Sequence, residues 1–220
     1  YPYLYSLPGF RFCGLLLSQG KYKEVLERAK TTLEQMKKAQ APVLTIVLDY
    51  LSIGKALLLE AVKDAKPDFS GAEQFLHRAV DVLRKSGRQD CLPWALFTRA
   101  ALYRYKQQFT HSWEDLEEAR EIAHYGSMKL HLTDYYLEAC RNVKEVIRVK
   151  GGEPGKSRQE WCFVIEEGAK VALTVDGMRE KFREFLKEAE RLTGETGYHR
   201  RDGELAELKK WGEDVGGEEW

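Results

Sequence analysis

Residues 69–79, FSGAEQFLHRA, decide the fold because bulky and small side chains recur in them at helical spacing. Phe69 is followed by Ala72, Leu76 and Ala79, in steps of three, four and three residues. Such steps place four side chains on one face of an α-helix, one above the other. Because the small residues let a neighbouring backbone approach closely, the stretch predicts one helix of a packed helical hairpin.

The same spacing recurs on both sides of this stretch. It is found at Tyr22, Val25, Ala29 and Thr32, and again at Phe109, Ser112, Leu116 and Ala119. The three copies start about 40 to 50 residues apart, a period that indicates a repeat protein rather than one central core. A partial copy, with the steps of four and three, follows at Phe182, Leu186 and Ala189. The helices predicted before the second, third and partial copies carry small residues of their own, namely Gly54, Ala100 and Ala139.

This pattern resembles the tetratricopeptide repeat over residues 4–192, apart from an insertion. The resemblance implies an all-α, right-handed solenoid of about four helical hairpins in a single domain, residues 1–213. The hairpins are predicted at 4–38, 42–87, 92–126 and 128–192, with an insertion at 151–176, a capping helix at 203–213 and a tail at 214–220. The insertion is predicted as a loop or a small β-hairpin, although helical spacing over 161–172 leaves a helix open.

Three shorter segments carry a narrower resemblance. Residues 90–93, 128–132 and 197–202 are similar to tetratricopeptide segments at the C-terminal end of large bacterial signalling proteins, often ATPases or effector-bearing switch proteins. The resemblance implies that the chain is one part of a larger multidomain protein. A first residue, Tyr1, that is not methionine agrees with this expectation.

Composition excludes several classes of partner. The chain of 220 residues has 35 basic and 35 acidic side chains, so no net field attracts nucleic acid or an anionic membrane. No apolar run reaches the roughly 18 residues of a membrane span. The four cysteines form no close pair, which predicts neither disulfides nor a zinc site and fits a reducing cytoplasm.

The search for catalytic chemistry finds no motif. Gly155-Lys156-Ser157 suggests a phosphate-binding loop, but the position of the required first glycine is Lys150. No two histidines have the i, i+4 spacing of a helical metal site, and no cysteine is paired with a base. The sequence therefore predicts no enzyme, no cofactor and no metal.

The resemblance also implies a binding surface, because the first helix of each hairpin lines the concave side of the solenoid. Carried over by position, it predicts partner contacts at Phe10, Arg11, Lys55, Trp94, Phe97, Arg104, Tyr105 and Tyr136. Aromatic and basic residues are typical of binding hot spots, although packing against neighbouring helices is the alternative for the aromatics. The clamp that holds the acidic tails of chaperones is not expected, because Phe10, Ser52 and Thr98 stand where its polar groups would be.

The predicted function is a non-catalytic scaffold or sensor that binds a protein or peptide segment in the concave groove. A segment with apolar anchors and some acidic character would fit this groove. One alternative is a regulatory domain that inhibits an attached effector enzyme. Another is an RNA-binding helical repeat, which the neutral charge disfavours.

Overall fold

The computed structural model describes residues 4–150, 163–166 and 169–216. It is about 80% helical: the described residues form nine α-helices and one small antiparallel β-hairpin. The expected predominance of helices is confirmed. The tetratricopeptide solenoid stays a prediction.

The chain divides into two compact units, Tyr1–Lys106 and Gln107–Trp220. The first unit contains α1 (Ser6–Ser18), α2 (Tyr22–Lys38), α3 (Val43–Ala61), α4 (Ser70–Ser86) and α5 (Leu92–Tyr105). The second contains α6 (Phe109–Tyr125), α7 (Lys129–Lys150), β1 (Phe163–Glu166), β2 (Ala169–Ala172), α8 (Val175–Thr196), a 3₁₀ turn (His199–Arg201) and α9 (Asp202–Gly216). The prediction of one repeat domain over 1–213 stays a prediction.

In the first unit, α3 is the central helix. It packs against α1, α2, α4 and α5, and every residue from 47 to 54 is buried. The predicted small residue Gly54 lies at a close approach of two helices: a Cβ built on it would stand 2.6 Å from Cδ2 of Leu76 on α4. Ala72 and Ala79 are buried in the same helix as Leu76. The bulky-and-small pattern therefore marks a real helix seam.

In the second unit, α7 packs against α6, α8 and α9, and β1 packs against α6. The two strands pair antiparallel, with Phe163 opposite Ala172, so the hairpin alternative for the insertion is confirmed for these residues. Helix α8 begins at Val175, inside the predicted insertion, and residues 151–162 of that insertion lie outside the described residues.

Helix ends follow local chemistry in most places. Gly87 and Gly197 end α4 and α8 in the left-handed conformation, with φ of 69° and 64°. Pro93 stands in the first turn of α5, where its missing N–H costs nothing.

The last helix differs from its prediction. It begins at Asp202 and continues to Gly216, so the first residues of the predicted tail are helical. The remaining tail residues, 217–220, lie outside the described residues.

Candidate functional site

Two aromatic side chains from separate helices meet on the surface of the first unit. Phe10 of α1 and Trp94 of α5 stack with their ring centroids 5.9 Å apart and their planes at 29°. Both side chains are half-buried, so part of each ring remains accessible. Offset stacking of this kind fixes the orientation of both rings.

Helix α5 continues this surface towards its C-terminal end. Thr98, Ala101 and Tyr105 follow Trp94 at i+4, i+7 and i+11, which places all four on one stripe of the helix. Thr98 and Ala101 are half-buried and Tyr105 is exposed. The Thr98 hydroxyl donates to the carbonyl oxygen of Trp94 at 2.8 Å and is thereby held against its own helix. The stripe therefore has an aromatic side chain at each end and small ones between.

Helix α3 contributes one cation beside this stripe. Lys55 is exposed, although residues 47–54 and Ala56 around it are buried. Gly54 faces α4, and Ser52, whose hydroxyl donates to the Leu48 carbonyl, lies close enough to Cys13 of α1 to affect the pKa of that thiol. At about 100° per residue, Lys55 lies on the arc of α3 between these two contacts.

Contacts with α4 show how far Lys55 lies from the aromatic pair. Leu76 of α4 packs on Gly54, and the next residue, His77, forms a 3.0 Å hydrogen bond with the Tyr103 hydroxyl. Gly54 and Tyr103 therefore lie at similar levels, which puts Lys55 near the end of α5. Trp94 is near the start of α5, about 14 Å away along the helix axis at 1.5 Å per residue.

We call this surface the aromatic face. Its residues are Phe10, Arg11, Lys55, Trp94, Thr98, Ala101 and Tyr105. Arg11 is exposed and follows Phe10 directly in α1. Seven of the eight predicted partner-contact residues lie on helices of this unit, and five of the seven belong to the aromatic face, where they are half-buried or exposed.

The structure places Phe97 and Arg104 differently from the sequence prediction. Phe97 is only 7% exposed and Arg104 only 6%. At about 100° per residue, both lie some 60° to 80° around α5 from the stripe that begins at Trp94. The guanidinium of Arg104 lies over the ring of Tyr105, 5.5 Å from its centroid. The exposure that the prediction required is therefore not observed for these two residues.

Tyr136 belongs to the second unit and is half-buried there. Its ring lies 6.1 Å from that of Phe185 on α8 and 5.0 Å from that of Tyr135. Burial raises the pKa of Tyr136, and the nearby Glu188 of α8 adds to the rise. The ring is thus part of an aromatic cluster between α7 and α8, so its partner-binding role stays a prediction.

The first unit contains a buried carboxylate that was not predicted from the sequence. Asp49 of α3 is 8% exposed, and its Oδ1 accepts a 2.8 Å hydrogen bond from the hydroxyl of Thr32 on α2. Its Oδ2 has no hydrogen-bond partner among the described residues. Burial raises the pKa of Asp49 to about 6. One signal was available: Asp49 is the only charge in residues 43–54, VLTIVLDYLSIG.

Two acids of the second unit, the buried Asp134 and the half-buried Glu204, share an ionic network. Arg201 donates to Oδ1 of Asp134 at 2.8 Å and also bonds Glu204, which in turn accepts from Arg141 of α7. This network joins α7 to the start of α9. Within the ranges that the structure describes, no group of three or more His, Cys, Asp or Glu side chains could hold a metal ion.

None of the helices in the described part of the chain is long and apolar enough to cross a membrane. Comparison of the chain with protein-family models, with curated proteins and with solved structures finds no match.

Proposed function

We propose that the first unit is a protein-interaction module that binds an extended, acidic segment of a partner protein on the aromatic face. The observation that carries the proposal is the stacked pair Phe10–Trp94, in which two large rings remain partly accessible. Half-buried aromatics of fixed orientation are the residues that most often anchor a partner side chain.

The charges of the face define the chemistry of the partner. Arg11 and Lys55 are both exposed, on helices that flank the aromatic pair. The positive charge of these side chains attracts a partner carboxylate near Lys55. Complementary charge of this kind steers association and disfavours basic competitors. The segment therefore combines an apolar anchor with an acidic residue.

The geometry favours an extended segment over a helix. Phe10 and Trp94 are in contact with ring centroids 5.9 Å apart, so no groove of the roughly 10 Å width of an α-helix separates these two side chains. An extended chain advances about 3.3 Å per residue, so the axial separation of about 14 Å along α5 corresponds to about four residues. The anchor and the acid are thus expected four residues apart.

The wider role follows from the resemblance to tetratricopeptide repeats. We infer that the chain is a non-catalytic scaffold or sensor within a larger bacterial signalling protein of the cytoplasm, acting without a cofactor or nucleic acid. The neutral total charge supports this, because 35 basic and 35 acidic residues leave no net field for RNA.

Selection from a library of displayed ten-residue peptides tests the proposal. We expect the enriched peptides to carry an aromatic or large aliphatic residue about four positions from Asp or Glu. Trp94→Ala should weaken their binding at least about tenfold in a fluorescence anisotropy titration. Lys55→Glu should weaken acidic peptides but not versions in which Asn or Gln replaces the acid.

Lys30→Glu is the matched control, because Lys30 is an exposed lysine of α2 that lies outside the aromatic face. It should leave peptide affinity unchanged. Enrichment of peptides that bind the Trp94→Ala and Lys55→Glu variants as tightly as the parent would place recognition elsewhere and overturn the proposal.

A further inference from the structure

Three helices of the first unit meet around one carboxylate. Asp49 of α3 lies in the seam with α2, where Thr32 donates to its Oδ1 at 2.8 Å. One turn further along α3, Ser52 lies close to Cys13 of α1. Oδ2 of Asp49 is buried and has no hydrogen-bond partner among the described residues. The seam therefore supplies a hydrogen-bond donor to only one of the two oxygens of the Asp49 carboxylate.

A neutral carboxyl fits this seam better than a charged one. Its protonated oxygen needs less solvation, and its other oxygen still accepts from Thr32. An ionised carboxylate with an unsatisfied buried oxygen carries a desolvation cost that a single hydroxyl does not offset. The surroundings of Asp49 thus favour the protonated, neutral form of its carboxyl group.

The charged and titratable groups on the packed helices do not reverse this preference. On α2, the charge of Arg28 acts on Asp49, but this side chain donates to the Leu4 carbonyl at 2.8 Å and covers the ring of Phe12 at 4.8 Å. On α1, Cys13 is a buried thiol whose pKa is raised by burial. Groups of α4 and α5 make other contacts: Arg78 donates to Tyr50, Arg99 lies over Tyr103, and Lys106 binds Glu73.

We propose that Asp49 is a proton-operated switch in the first unit: one proton on its carboxyl tightens the junction of α1, α2 and α3, and its release loosens the α2–α3 seam. The switch needs no ligand and no second unit. It is a property of the five-helix unit itself and is independent of the partner-binding proposal.

The direction of the response follows from linkage. Burial raises the pKa of Asp49 from 3.8 to about 6, so between these pH values the folded seam holds a proton that the open seam has lost. Stability from this group is fully present below about pH 4 and falls as the pH rises to about 6. A difference of about two pKa units corresponds to roughly a 100-fold change in the equilibrium between closed and open seam.

Residue-resolved NMR on the whole chain tests the switch. The ¹³C shift of the Asp49 carboxyl carbon should titrate with a midpoint near pH 6. Amide hydrogen exchange, corrected for intrinsic rates, should show that opening of α2 and α3 becomes more frequent from pH 4 to 7, by up to roughly 100-fold. Asp49→Asn keeps an oxygen that accepts from Thr32 and should remove this increase.

Asp81→Asn is the matched control, because Asp81 is an exposed aspartate of α4 in the same unit. It should keep the parental pH dependence. A carboxyl that titrates near pH 4 overturns the switch, and so does an Asp49→Asn variant that opens with the same pH dependence as the parent. The titration of the parent decides the question even if the Asn variant does not fold.

Discussion

The two units differ in how they bury acids. In the first unit, Asp49 has one hydroxyl donor, and burial raises its pKa to about 6. In the second unit, burial raises the pKa of Asp134 as well, but at Glu204 the cations Arg141 and Arg201 outweigh burial and lower the pKa. The first arrangement responds to protons. The second bonds its acids to arginines, so Glu204 favours its charged form and the arrangement depends on these cations.

Removal of one cation from the second unit should have the largest effect. Arg201→Met leaves Asp134 and Glu204 without a shared partner, and Asp134 is buried, so the free energy of unfolding of this unit should fall by about 3 kcal/mol. Urea denaturation followed by amide exchange in α7 and α9 measures it. We expect α2 and α3 of the first unit to keep their protection.

Arg191→Met is the matched control for this change. Arg191 forms ion pairs with Glu188 and Glu195 on the exposed side of α8, where solvent screens the attraction. Its replacement should leave the unfolding transition where it is. Equal losses for Arg201→Met and Arg191→Met would show that the buried network contributes no more than a surface pair.

The contrast also explains what the sequence could predict. The helices and the seam at Gly54 depend on the spacing of residues within a few turns, which is visible in the sequence. The Arg201–Asp134 bond joins residues 67 positions apart, and no local pattern specifies that pairing. The burial of Phe97 and Arg104 depends on how α5 is rotated against its neighbours, so a correct helix still gave an incorrect exposed face.

The start of α4 is another place where a local sequence pattern does not predict the contact that forms. The spacing Ser70-x-x-Glu73 predicts a capping box at the start of α4, with Ser70 as the N-cap. This is wrong, because Ser70 is already the first helical residue and its N–H donates to Oδ1 of Asp68 at 2.9 Å. The carboxylate is the stronger acceptor and lies two residues earlier.

The stability of the first unit should fall when one methyl group is added to its α3–α4 seam. Gly54→Ala places a Cβ 2.6 Å from Cδ2 of Leu76, which is fully buried, so either this side chain or a helix backbone must shift. Such overpacking costs about 1–3 kcal/mol, so we expect about 2 kcal/mol less stability for the first unit. Thermal unfolding measured by far-UV circular dichroism detects the change.

The second unit offers the reverse substitution. Ala139 of α7, at the position where the repeat pattern aligns it with Gly54, is buried and already carries a methyl group. Ala139→Gly should cost about 1 kcal/mol through the loss of helix propensity and packing. If Gly54→Ala raised the melting temperature, the seam between α3 and α4 would be looser than the structure shows.

The smallest expected effects come from substitutions at the starts of α8 and α4. The effect at α8 should not depend on pH, whereas the effect at α4 should. In the second unit, the Thr174 hydroxyl accepts from the Gly177 N–H at 3.1 Å and caps α8. Thr174→Ala should cost about 1 kcal/mol at any pH, and Thr174→Ser should restore most of it.

At the start of α4, the cap is a carboxylate instead, and the backbone N–H of Ser70 holds the pKa of Asp68 below its usual value. Stability from Asp68 is therefore present above about pH 4 and lost as the pH falls, which is opposite in sign to the response of Asp49. Asp68→Ala should accordingly increase amide exchange in the first turn of α4 at pH 7, and the increase should shrink as the pH falls through the lowered pKa of Asp68. An Asp68→Ala effect that keeps its full size as the acid is protonated would mean that the side chain acts by shape, not by charge.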